Sequence, residues 1–232
     1  MNLMDFSMKR KKVELVLKNA NIVNVFSHEI IKADVAIEKG IIVGIGSYEG
    51  IENIDLTDKY ITPGFIDPHV HIESSMVSPV EFSKAIIPRG TTTIITDPHE
   101  IANVCGMDGI DYILKESEET PLDVYLMLPS CVPATGFENS GARLEAKDLE
   151  KYINHERVLG LGEMMNYPGV VNEDKIVIDK LDLAKKYNKY IDGHIPNISN
   201  EGLNAYVASG ISTDHECSTV EEMIEKIRLG MY

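Results

Sequence analysis

The chain has 232 residues, 44% of them hydrophobic, enough for one large domain or two small ones with buried cores. Its net charge is −15, and the one dense basic run, Lys9-Arg10-Lys11-Lys12, lies on a short N-terminal tail, which argues against nucleic acid or an anionic membrane as partner. No stretch approaches the roughly 18 apolar residues of a membrane span, Glu14 and Lys18 interrupt any secretory apolar segment, and Cys105, Cys131 and Cys217 form no C-x-x-C pair; a cytoplasmic protein without a disulfide scaffold is expected.

Residues 13–62 read as short strands rich in Val and Ile and broken by Asn, Lys-Gly and Asp-Lys turns. Lys39-Gly40 between two such runs predicts a tight hairpin. After Pro63-Gly64 the pattern changes. Short apolar runs, "GFIDPHVH", "TTTIITD", "LDVYLMLPS", "VLGLGEM", "YIDGH" and "GISTDHE", alternate with helix-like segments at 79–88, 104–119, 145–153, 174–188, 199–208 and 219–229. Ser78-Pro79 supplies a cap and a proline for the first helical position. Ser218-Thr219 followed by Glu221 and Glu222 puts acid in a first turn, where the helix dipole favours it. Continuous apolar strands between helices predict a parallel sheet covered on both faces. Six strand–helix units, about 20–35 residues apart, predict an α/β barrel over 63–232 behind a small β-sandwich-like domain over 1–62. A doubly wound sheet is the rival, but no Gly-rich phosphate turn follows the first strand.

Chemistry-bearing side chains fall at the C-terminal ends of the apolar runs, where such a barrel builds its site. Alternation along an extended strand sends Asp67, His69, His71 and Glu73 to one side. His69, His71, Glu163, His194 and His215 come from four strands at equivalent ends. A lone histidine at a strand end is usually structural; five donors of this type at one rim predict a binuclear metal site, with Glu163 able to bridge through its two oxygens.

The stretches "PGFIDPHVHIESS", "TDPHEIANVCG", "GLGEMMNYPGV", "DGHIP" and "STDHECST" resemble the adenine deaminases of the amidohydrolase superfamily, over nearly the whole chain. The resemblance implies that His69 and His71 hold one metal, that Glu163 bridges in place of a carboxylated lysine, and that His194 and His215 hold the second. Glu163 and His215 are then the expected catalytic residues. Manganese is the implied cation, with iron or zinc as alternatives, and the implied reaction is hydrolytic deamination of adenine to hypoxanthine. The full-length protein is expected to form a homo-oligomer. The family barrel has eight strands and draws an aspartate from the last. Six strand signals precede Tyr232, so the expected architecture is an incomplete (β/α)8 barrel, weakly stable and inactive by itself. Another cyclic amidase or deaminase of the superfamily, or a non-catalytic fragment, is the alternative.

Four further residues are expected at the substrate. Glu73 and Ser74 follow the H-x-H and would contact the purine, a polar turn being the rival reading. His99 and Glu100, in "DPHE", would serve substrate or metal, with a loop cap as the rival because Pro98 has left the sheet. Asp67 and Asp192 each precede a ligand by two positions and read either as partners of a metal-bound imidazole or as buried structural aspartates.

Overall fold

A computed structural model describes residues 2–232. The chain divides into two compact units, Met1–Gly64 and Phe65–Tyr232.

The first unit opens with a helical turn, α1 (Met4–Ser7), followed by strands β1 (Val13–Asn24), β2 (Glu29–Glu38), β3 (Ile41–Gly46), β4 (Gly50–Asp55) and β5 (Tyr60–Ile61). The sheet runs β3-β2-β1-β4, with β5 also on β1. β2 and β3 are antiparallel and joined by Lys39 and Gly40, both at positive φ (51° and 71°), the backbone a tight hairpin turn requires. Val13 and Val16 of β1 pack in a cluster with Phe6 and Ala36, and Ala20 and Ile22, two apart on one face, in another with Val35.

The second unit contains β6 (Phe65–Val70), α2 (Pro79–Ile86), β7 (Thr91–Thr96), α3 (His99–Cys105), α4 (Met107–Glu118), β8 (Asp123–Leu128), α5 (Ala146–Leu149), β9 (Val158–Met164), α6 (Tyr167–Val171), α7 (Lys175–Lys186), β10 (Tyr190–Gly193), α8 (Asn200–Ala208), β11 (Thr213–Asp214) and α9 (Val220–Arg228). The strands follow in chain order, each parallel to the one before. Flat strands about 4.8 Å apart would set β6 and β11 more than about 20 Å from each other. Instead the ring of His69 on β6 stacks on that of His215, just past β11, with centroids 3.5 Å apart. The sheet is therefore curled into a parallel half-barrel. Val124, Leu126 and Leu128 of β8 and Leu161 and Met164 of β9 are fully buried in the core that the helices cover.

Local chemistry sets the helix starts. Ser78 accepts from the N–H of Glu81 ahead of Pro79, and Thr219 accepts from the N–H of Glu222. Three sequence-based expectations need correction. The segment 104–119 is not one helix: Gly106, at φ 62° and ψ −141°, breaks it between α3 and α4. The segment 145–153 holds only the short α5. The row from Asp67 to Glu73 stops at His71, because residues Ile72–Ser75 turn into a 3-10 helix and leave the strand. Among the described residues no helix is long and apolar enough to cross a membrane.

Candidate metal centre

Glu163 lies at the end of β9, 3% exposed, and four imidazoles from three other strand ends surround it. On one side His71 Nε2 is 3.3 Å and His69 Nε2 is 3.9 Å from its Oε1. On the other, His194 Nδ1 is 2.9 Å and His215 Nε2 is 3.4 Å from its Oε2. The structure thus brings His69, His71, Glu163, His194 and His215 together: Oε1 faces His69 and His71, with His99 also within reach, and Oε2 faces His194 and His215. One donor atom each from His69, His71 and Glu163 lie within 4.8 Å of one another, and the same holds for Glu163, His194 and His215.

The strands achieve this with specific supports. His71 Nδ1 is 2.7 Å from the carbonyl oxygen of Asp97, which fixes a proton on Nδ1 and turns Nε2 to the centre. Asp192 Oδ2 lies 3.4 Å from Nδ1 of His69 and 3.2 Å from Nδ1 of His215, so one carboxylate orients a ring from each side. Asp192 precedes His194 by two positions, yet it serves those other two rings. Thr213 donates to Asp192. Asp67 accepts from the N–H of its neighbour His69 instead. Tyr206 donates its hydroxyl proton to the carbonyl of Met164 and accepts the N–H of His194, tying the ends of β9 and β10.

The carboxylates and rings are strongly coupled in charge. Burial opposes ionisation of Glu163, but contact with His194, His215, His71 and His99 overcomes it and holds the carboxylate far below its ordinary range. Asp192 is likewise held down, against its burial, by His215 and His69. Contact with Glu163 pushes His71 up to about 9. His215 is pushed up to about 10, because Asp192 and Glu163 outweigh its burial. Without a cation, protons on His71 and His215 offset the charge of the carboxylates. A carboxylate-and-imidazole donor set of this kind fits divalent first-row cations.

His99, expected at substrate or metal, stands beside the central carboxylate. Its Nδ1 is 3.2 Å from Glu163 Oε1 but makes no hydrogen bond. Glu73 turns to accept the N–H of Ile101, and Ser74 donates to the carboxylate of Glu100, so these three cluster around the start of α3. Sequence reasoning gave no role to Asp97, which is buried, accepts the N–H of Glu163 at 2.9 Å and is pushed up to about 7, chiefly by burial. Its only signal was an aspartate closing the apolar run "TTTIITD". Tyr206, inside an ordinary amphipathic helix, gave none.

The comparisons with known proteins accord with this geometry. The chain is 64% identical to the adenine deaminase of Clostridium acetobutylicum over 222 residues, 96% of this chain and 39% of that protein. It is 54% identical to the adenine deaminase of Geobacillus kaustophilus over 224 residues, 97% of this chain and 39% of that protein. It thus spans about two-fifths of the length of the curated relatives it matches. In fold it is similar to an N-acyl-D-glutamate deacylase from Bordetella bronchiseptica, solved with zinc and a phosphonate inhibitor, at a TM-score of 0.62 and 12% identity over 94% of this chain and 55% of that one. The model of the amidohydrolase family matches residues 60–231, which takes in the whole half-barrel and every side chain around Glu163, and the chain belongs to that family.

Proposed function

We propose that the chain carries the binuclear metal centre of an aminohydrolase that converts adenine to hypoxanthine and ammonia. One observation carries the reading: Glu163 turns Oε2 to His194 and His215 and Oε1 to His69 and His71, with His99 also beside Oε1. Two cations would be held there by His69, His71 and Glu163 on one side and by Glu163, His194 and His215 on the other. Manganese or iron is the proposed pair, with zinc as the alternative, since imidazole and carboxylate donors accept all three. When bound, such cations supply Lewis acidity and a nucleophile drawn from water at neutral pH.

The chain's own residues do the positioning. Glu163 and His215 are the proposed catalytic residues at the cations. Asp192 holds the His69 and His215 rings, and the Asp97 carbonyl holds His71. Glu73, Ser74, His99 and Glu100 are proposed to meet the purine at the rim. Adenine as substrate is supported by the names of the relatives above.

The test is ammonia release from adenine, adenosine and cytosine by manganese-loaded protein expressed at the length of its relatives. Adenine alone should turn over. Adenosine turned over as fast as adenine overturns the substrate assignment, and fewer than two manganese ions per chain overturns the centre. For residues 1–232 alone we expect little or no turnover, because β6 and β11, the strands nearest His69 and His215, are open sheet edges; full activity from that segment overturns this part.

A further inference from the structure

Lys226, on α9, is a buried ammonium whose contacts reach two loops at once. Its Nζ lies 2.9 Å from Asp214 Oδ2 and 2.8 Å from Glu222 Oε1, and it donates to the carbonyl of Glu216 at 3.0 Å. The three side chains are 3%, 1% and 8% exposed. The two carboxylates use their remaining lone pairs on backbone N–H groups. Asp214 accepts from Ile195 at 3.2 Å and from Glu216 at 2.8 Å. Glu222 accepts from Asn197 at 3.0 Å and from Ser218 at 2.9 Å.

Those four N–H groups lie on the loop that follows His194 and the loop that carries His215. A buried ion triad contributes little net stability over an apolar cluster of the same shape, so stability alone does not account for it. What it does provide is fixed geometry. Without Lys226, Asp214 and Glu222 would be two buried carboxylates repelling each other, and the loops they hold would part.

We propose that Lys226 is a positioning residue for one half of the metal centre: through Asp214 and Glu222 it locks the loops that aim His194 Nδ1 and His215 Nε2 at Glu163 Oε2, and so sets how tightly that half holds a divalent cation. The cation rests on the binuclear reading above, whereas the loop clamp rests on the hydrogen bonds alone. Groups that orient ligands in this way change metal affinity by about 10–100-fold.

The test compares Lys226→Met with Leu149→Ala, a fully buried core position on α5 away from both loops. Two readouts are used: amide hydrogen exchange of the metal-free protein, and manganese affinity by chelator competition. In Lys226→Met, exchange over 194–199 and 214–219 should rise about tenfold or more while β7 to β9 keep their protection. One of two manganese ions should bind about tenfold more weakly. Leu149→Ala should change neither. If Lys226→Met fails to fold, Glu222→Gln, which keeps the shape and removes one charge, should give the same two shifts. Wild-type exchange in both loops, or equal weakening of both ions by Leu149→Ala, overturns the proposal. Loops that loosen in Lys226→Met, in a protein that binds fewer than two ions even as wild type, would overturn the binuclear reading and with it the effect on affinity, leaving only the clamp.

Discussion

Asp97 accepts the backbone N–H of Glu163 at 2.9 Å, so a buried carboxylate just past β7 fixes the strand end that presents the central carboxylate. The close approach depends on Gly162, where a methyl group would overlap the Asp97 carboxylate. Gly162→Ala should therefore push Asp97 and Glu163 apart. Overpacking of a tight interior costs about 1–3 kcal/mol, and the displaced Glu163 should no longer hold two cations. Thermal unfolding and manganese titration of the variant check both effects. A variant with wild-type stability and two ions per chain would show that the contact is dispensable.

Glu163→Gln keeps the shape of the side chain and removes its charge. In the metal-free protein Glu163 is the first cause of the high His71 value and one of the two anions behind that of His215. Both should fall towards 6.5 in the variant, with His215 falling less because Asp192 remains beside it. Imidazole titration by NMR checks this, with wild-type values of about 9 and about 10 expected. The variant should also lose at least one manganese ion per chain.

The half-barrel and its rim were legible because strand periodicity and strand ends are local properties. An apolar run that closes on His, Glu or Asp announces both the strand and the place where its chemistry must sit, and His69, His71, Glu163, His194 and His215 all carried that signal. What was not legible depends on backbone turns inside an unbroken pattern or on contacts distant in sequence. Gly106 breaks a helix whose pattern looked continuous, because its backbone enters the left-handed region. Glu73 shares the strand's alternation on paper, but the chain turns one residue earlier. Asp192 pairs with rings 23 positions after it and far before it, rather than with its neighbour His194. Lys226 and Tyr206 sit on helices whose amphipathic pattern says only which side is buried.

Tyr206 is fully buried, donates to the Met164 carbonyl at 2.6 Å and accepts the His194 N–H at 3.1 Å. Tyr206→Phe fills the same space but leaves a buried carbonyl and a part-buried N–H without that partner. Each such group costs about 1–3 kcal/mol. The expected result is a clear drop in stability to urea with unchanged m-value, together with faster exchange of the His194 amide. An unchanged midpoint would mean that other donors and acceptors fill the gap.

In the first unit, Asp34 is buried and accepts hydrogen bonds from the N–H of Asn19, the ammonium of Lys18 and the N–H of Tyr48. Burial alone would lift its carboxyl. The three donors outweigh that and hold it below 3.8. A value lower in the folded than in the unfolded chain means that the unfolded chain takes up the proton first. The stabilisation is therefore complete above about pH 4 and disappears as the pH falls through the lower folded value. The β1 and β2 amides, followed by NMR through urea titrations at a series of pH values, should report a midpoint that drops on the acid side. Asp34→Asn cannot ionise, so it should lower the midpoint at pH 7 and flatten the acid limb. An acid limb as steep in Asp34→Asn as in the wild type would assign the acid sensitivity to other carboxylates of this unit.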